Sequence, residues 1–127
     1  MSLKLAAALL ALSGAAYASP AGAWTLLGVR EVNDRTERDT IVLPGPRDFH
    51  QIKFCVARNP VEFHDVDVYF GNGGHQDIAV RERVPAGACT RDIDLTGADR
   101  NITRIEFRYE ETSARRARAT VRVFGRG

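Results

Sequence analysis

The chain is poor in the residues that most catalytic and membrane-spanning chemistries need. Cysteine occurs only at Cys55 and Cys89, so no odd thiol is left to act as a nucleophile if the two are bridged. Beyond residue 18, serine occurs only at Ser19 and Ser113, and neither sits in a Gly-x-Ser-x-Gly elbow. There is no His-Glu-x-x-His, no calcium-loop spacing and no close cysteine pair. No apolar run approaches the roughly 20 residues that cross a bilayer as a helix, so no membrane span is expected once a leader is removed. Charge of one sign is also missing. The formal net charge is +2, and the near-neutral balance argues against a dedicated polyanion binder such as a nucleic-acid protein.

What is present begins with a leader. Lys4 precedes the apolar stretch 5–12, then Ser13-Gly14, then Ala16-Tyr17-Ala18, which is the layout of a secretory signal peptide. Residues 1–18 are read as that signal, with Ala21-Gly22-Ala23 as an alternative end at 23. Residues 19–127 then form a single domain, and the expected location is periplasmic or secreted. In an oxidising compartment Cys55 and Cys89 are expected to form a disulfide, with two free thiols or a metal pair as the alternatives.

After the leader the dominant period is two, the strand period. Ile52, Phe54 and Val56 alternate with Lys53 and Cys55, and Asn59-Pro60 stops the run. Val61 and Phe63 share one parity, whereas Val66, Val68 and Phe70 share the other, so a bulge is expected at His64-Asp65. Gly71-Asn72-Gly73-Gly74 reads as a hairpin turn. Ile93 with Leu95, then Ile105, Phe107 and Tyr109, then Ala117, Ala119, Val121 and Val123 line further apolar faces. Strands around 25–29 and 40–43 complete the set, with the polar stretch 30–39 read as a surface loop. The fold class is all-β, a two-sheet β-sandwich of jelly-roll type with about eight antiparallel strands and one disulfide.

Residues 87–111 hold a dense comb of charge. Arg104, Glu106, Arg108 and Glu110 alternate with the apolar set of one strand, and Arg118, Thr120 and Arg122 with that of the last. The reading here is a solvated sheet face, with these two strands paired as an antiparallel hairpin and opposite charges meeting across it. Each such pair is worth about 0.2 to 1 kcal/mol.

Trp24-Thr25-Leu26-Leu27-Gly28, the Cys55 strand, Val68-Tyr69-Phe70, Arg104-Ile105-Glu106-Phe107 and the ending Ala119-Thr120-Val121-Arg122-Val123-Phe124-Gly125 resemble small periplasmic bacterial proteins of unknown function. The same ending resembles the galactose-binding-like jelly rolls, a fold used by many carbohydrate-binding modules. The resemblances imply a fold and a compartment. They carry over no functional residue, because the first group has no known activity and the second binds through variable loops.

Candidate sites follow from local chemistry. Asp65, Asp67, His75 and Asp77 crowd one hairpin and could approach an ion. The oxygen-rich set would suit calcium better than catalytic zinc, but a polar strand edge is the plainer reading, and no cofactor is expected. Asp92 and Asp94 share a strand face, the minimum for a carboxylate pair, yet nothing nearby forms an apolar pocket to raise a pKa. Arg115, Arg116 and Arg118 form a basic cluster that would suit an anion if the nearby glutamates leave it open. Trp24, Tyr69 and Phe124 fall off the apolar parities or near strand ends and are the candidates for a ligand-binding surface. The resulting expectation is a non-catalytic exported binding or accessory module of the bacterial cell envelope, with an envelope polysaccharide or protein as partner. A small envelope hydrolase using paired aspartates, and a protein interaction module, are the alternatives.

Overall fold

The computed structural model describes residues 23–32, 36–43, 48–97, 100–111 and 118–127. Residues 1–18, expected to be a leader, and Ser19, Ser113, Arg115 and Arg116 lie outside the described residues.

Among the described residues there are nine strands and no helix. They are β1 (Thr25–Val32), β2 (Thr36–Val42), β3 (Asp48–Phe49), β4 (Gln51–Ala57), β5 (Val61–Phe70), β6 (His75–Val84), β7 (Ile93–Asp94), β8 (Arg100–Glu111) and β9 (Ala119–Arg126). They form two antiparallel sheets: β1-β9-β4-β7, and β2-β8-β5-β6 with β3 also paired to β8. The all-β, two-sheet expectation therefore holds. The strand beyond the expected eight is β3, whose two residues are too short to show a period.

Alternation dictates the core. Ile52, Phe54 and Val56 of β4 and Val121 and Val123 of β9 point inward from one sheet, and Val61, Phe63, Val66, Val68, Ile105, Phe107 and Tyr109 from the other. Phe54 meets Phe63 and Phe107 with ring centroids 5.1 and 5.2 Å apart, and Phe107 meets Tyr109 at 5.6 Å. Such tilted and edge arrangements suit the ring quadrupoles and add to the area they bury. The Tyr109 hydroxyl, carried into the interior, donates to Asp39 Oδ2 at 2.9 Å and so does not remain unsatisfied.

Two bulges set which residues face out. The register of β5 slips between Phe63 and Asp65, so Val61 and Phe63 and then Val66 and Val68 all point inward despite opposite parity. In β1 the register slips between Leu26 and Gly28. Leu27 packs against the core, and Leu26 and Val29 on either side of the slip are left 48% and 40% exposed. Gly28 is required here by space: a Cβ would lie 2.8 Å from the Ile41 side chain of β2. The β5–β6 hairpin turns where expected. Gly73 has φ 90°, and the turn is closed by Phe70 N–H donating to Gly74 O at 2.9 Å and Gly74 N–H donating to Asn72 Oδ1 at 2.8 Å.

Two expectations are corrected. The stretch 30–39 is mostly strand, because β1 runs to Val32 and β2 starts at Thr36. Both are outermost strands of their sheets, where a polar side chain meets water and the alternation that betrays a strand is weak. The comb strands do not form a hairpin: β8 lies between β2 and β5 in one sheet, and β9 between β1 and β4 in the other. Alternation shows which side of a strand is dry, and carries no information on which strand lies beside it.

The Cys55–Cys89 disulfide is formed. Its residues face each other as an isolated antiparallel bridge, flanked by Val56 N–H donating to Ala88 O at 2.9 Å and Thr90 N–H donating to Phe54 O at 2.8 Å. It pins the segment after β6 onto the edge of the first sheet.

Phe107→Ala should destabilise the protein by about 3 to 5 kcal/mol, because the rings around it cannot collapse fully into the space. Replacing both cysteines by serine should cost roughly 3 to 4 kcal/mol by the loop-closure argument. Denaturant unfolding, with and without reductant for the second, measures each.

Candidate functional site

The sandwich has two outward faces, and the same alternation that buries the core sorts the charged and aromatic residues between them. Among the described residues no concave pocket opens at the surface, so the chemistry of the molecule is that of open sheet faces.

The outward face of the five-stranded sheet is the comb, and many of its charges pair with one another. Glu106 pairs with Arg38 of β2 at 3.5 Å and with Arg104 on its own strand at 3.2 Å. Arg108 pairs with Asp65 of β5 at 2.8 Å, and His64 lies 3.8 Å from Glu110. His75 Nε2 lies 2.9 Å from Asp67 Oδ1, and its ring stacks on Tyr69 with centroids 4.7 Å apart. The Arg104 guanidinium lies 3.7 Å from the centroid of that same tyrosine ring. Tyr69 is therefore half-buried, in contact with a guanidinium and an imidazole of its own sheet.

Of the four residues expected to approach an ion, Asp67 and His75 touch, and Asp77 is the register partner of Asp67. Asp65 is engaged by Arg108 instead. Among the described residues no group of three or more His, Cys, Asp or Glu side chains is disposed to hold a metal ion.

The outward face of the four-stranded sheet is built differently, as successive rungs across β1, β9, β4 and β7. The end rung carries Trp24, Arg126, Gln51 and Asp94. Gln51 is the register partner of both Arg126 and Asp94, and the Arg126 guanidinium lies 4.3 Å from the Trp24 ring centroid. Gln51 accepts from Arg126 Nε at 3.0 Å and donates from Nε2 to Asp94 Oδ1 at 2.7 Å, and Arg126 also reaches Asp92 at 3.3 Å. The next rung is Leu26, Phe124 and Lys53. Lys53 Nζ lies 4.3 Å from the Trp24 centroid and 5.8 Å from that of Phe124. The third rung is Val29, Arg122 and Cys55 with its disulfide. The fourth, Glu31, Thr120 and Ala57, closes the face, with Glu31 reached by Arg58 at 3.1 Å and by Arg118 at 3.8 Å.

Trp24 and Phe124, at opposite ends of the chain, are thus brought together on one open face, whereas Tyr69 lies on the opposite sheet. Arg118 of the expected basic cluster is taken by Glu31. Asp92 and Asp94 hold Arg126 and Gln51 at the rim rather than facing each other across a cleft.

Sequence reasoning misses Lys53 and Gln51, which are half-buried residues of an ordinary amphipathic strand. A signal exists only in hindsight: Lys53 shares the outward parity of Cys55, and lysine occurs otherwise only at Lys4. Leu26 and Val29 are missed because a bulge, not parity, turns both outward.

A domain family of unknown function, DUF2541, matches residues 3–125. The chain belongs to that family. No curated protein matches it by sequence. Among solved structures it is similar to Pseudomonas aeruginosa AlgX, with a TM-score of 0.53 and 14% sequence identity over 83% of this chain. The likeness to AlgX is one of fold, and it covers 27% of the AlgX chain. This family member thus shares an architecture with part of a larger protein.

The comb offers a test of its internal pairing. The hydrogen bond from Arg108 holds the Asp65 carboxyl below its usual value; burial opposes this, and the positive charges of Arg108, Arg81 and His64 add to it. A depressed pKa stabilises the fold above the unfolded value, and that contribution is lost as pH falls through the folded one. Asp65→Asn should therefore lower the thermal midpoint near neutrality, with the gap to wild type closing as pH falls below about 4. Thermal unfolding across pH reads this, and a gap unchanged at strongly acid pH would contradict it.

Proposed function

We propose that this chain is a non-catalytic binding or accessory module of the bacterial cell envelope, working outside the cytoplasm, and that it binds envelope polysaccharide on the outward face of the four-stranded sheet. The observation that carries this reading is the open face formed by Trp24, Phe124 and Lys53. An aromatic ring offers a flat apolar surface to the C–H face of a sugar, and polar neighbours such as Gln51 and Lys53 supply donors for its hydroxyls. The comb face is a poorer candidate, since most of its central charges are paired and Tyr69 stands there without a second aromatic candidate.

The disulfide supports the compartment, because such bridges persist in oxidising surroundings. The layout of residues 1–18 supports it independently. In this reading Asp92 and Asp94 are rim residues that orient Arg126 and Gln51, and no cofactor is needed.

Affinity electrophoresis of the purified protein through gels containing bacterial envelope polysaccharides tests the proposal. Retardation is expected in at least one of them, and Trp24→Ala should weaken it about tenfold, on the order of 1.4 kcal/mol, the scale of a central aromatic anchor. Turnover of such a glycan that disappears in Asp94→Ala or Asp67→Ala would overturn the non-catalytic reading.

A further inference from the structure

Ion pairing differs between the centres of the two faces. On the comb, Arg38, Arg104, Arg108, His64 and His75 each lie within ion-pair distance of Glu106, Asp65, Glu110 or Asp67. On the opposite face only Arg126 of the central cations has such a partner, Asp92. Among the described residues neither Lys53 nor Arg122 meets a carboxylate. Arg122 is exposed on β9, and Lys53 sits above the ring of Trp24.

Lys53 shares the ring of Trp24, whose π face attracts it, with a second cation. Its ammonium and the Arg126 guanidinium are each 4.3 Å from the centroid of one indole ring, so they are at most twice 4.3 Å apart. That is about one Debye length at physiological salt, within which two like charges still repel. Arg122 is diagonal to Lys53 across the Phe124 and Cys55 positions, a spacing of about 7 to 8 Å between strands. Two cations, Lys53 and Arg126, therefore lie against the Trp24 ring, with Arg122 on the next rung, Asp92 and Asp94 at one rim and Glu31 at the far end of the face.

We infer that the ligand of this face is an acidic polysaccharide, a chain of uronate-type sugars whose carboxylates meet Lys53 and Arg122 while a ring packs on Trp24 and Phe124. This rests on the glycan-binding reading above and specifies its chemistry. A neutral glycan would leave the two cations unanswered. A protein or lipid surface would use Leu26 and Val29 but would not need Lys53 and Arg122 without carboxylate partners beside them.

The ligand-side test needs no variant: titrate the purified protein at low salt with polygalacturonate and with the same polymer fully methyl-esterified, which keeps the sugar backbone and removes the charge. Binding to the first and at least tenfold weaker binding to the second is expected. Lys53→Gln and Arg122→Gln, both at surface positions and checked for an unchanged thermal midpoint, should each weaken binding roughly two- to fivefold, as for exposed charge pairs. Added salt should weaken the wild type more than either variant. Equal binding to both polymers would overturn the acidic-ligand inference and leave glycan binding standing. Binding to neither, with retention by some neutral envelope glycan, would do the same. Binding to no glycan at all would overturn both. Equal affinity for polyglutamate would mark a generic polyanion surface, and capture by vesicles of anionic phospholipid without capture by polygalacturonate would mark a membrane-facing one; either result overturns the inference.

Discussion

The packing of Phe54 in one sheet against Phe63 and Phe107 in the other is the contact on which the rest of the molecule depends. It joins the two sheets through the middle of the core, and polar contacts such as Arg30 to Thr40 O and Gln76 to Asp94 O link them at the margins. Once those rings are inside, the period of two leaves no freedom for the residues between them. Lys53 is outward because Ile52 and Phe54 are inward, and Arg104, Glu106 and Arg108 are outward because Ile105 and Phe107 are inward. The chemistry of each surface is thus a by-product of how the core is filled.

The two surfaces nevertheless differ in kind. On the five-stranded sheet, register partners often carry like charge, as with Arg38 opposite Arg108 and Asp67 opposite Glu106, and the ion pairs form on the diagonals instead, Arg38 to Glu106 and Arg108 to Asp65, so that much of the charge on this face is answered within it. On the four-stranded sheet, the rungs combine aromatic, aliphatic and cationic side chains, and acids enter only at the edges. Internal pairing makes the first face a good solvated exterior. The imbalance of the second makes it the place where an external partner can add interactions that the protein does not supply for itself.

The bulge in β1 is the small device that completes this surface. Without the slip at Leu27, Leu26 and Val29 would fall on opposite sides of the sheet. With it, both flank the strand that carries Phe124 and Arg122, and Gly28 lets β1 approach Ile41 closely enough to keep the edge of the sandwich shut. A bulge in an edge strand also disturbs the row of free backbone groups that would otherwise invite another strand to pair.

Much of this architecture is written locally. Parity along residues 51–57, 61–70 and 105–109 marks the strands and their dry sides, the parity change at His64-Asp65 marks the β5 bulge, and the glycines at 71, 73 and 74 mark the hairpin. The disulfide is legible from the presence of two cysteines in a chain whose first residues read as an export leader. Each of these depends only on residues close in sequence or on composition. Partnership is different in kind. That β8 pairs with β2 and β5 rather than with β9, that polar 30–39 is largely strand, and that Trp24 meets Lys53 and Arg126 are outcomes of how whole sheets close around the core. The sequence by itself determined which side of each strand is dry, because burial depends on the strand's own alternation. Only the tertiary structure decided which charges find partners and which aromatics share a face, because those depend on strand order and register between segments far apart in the chain.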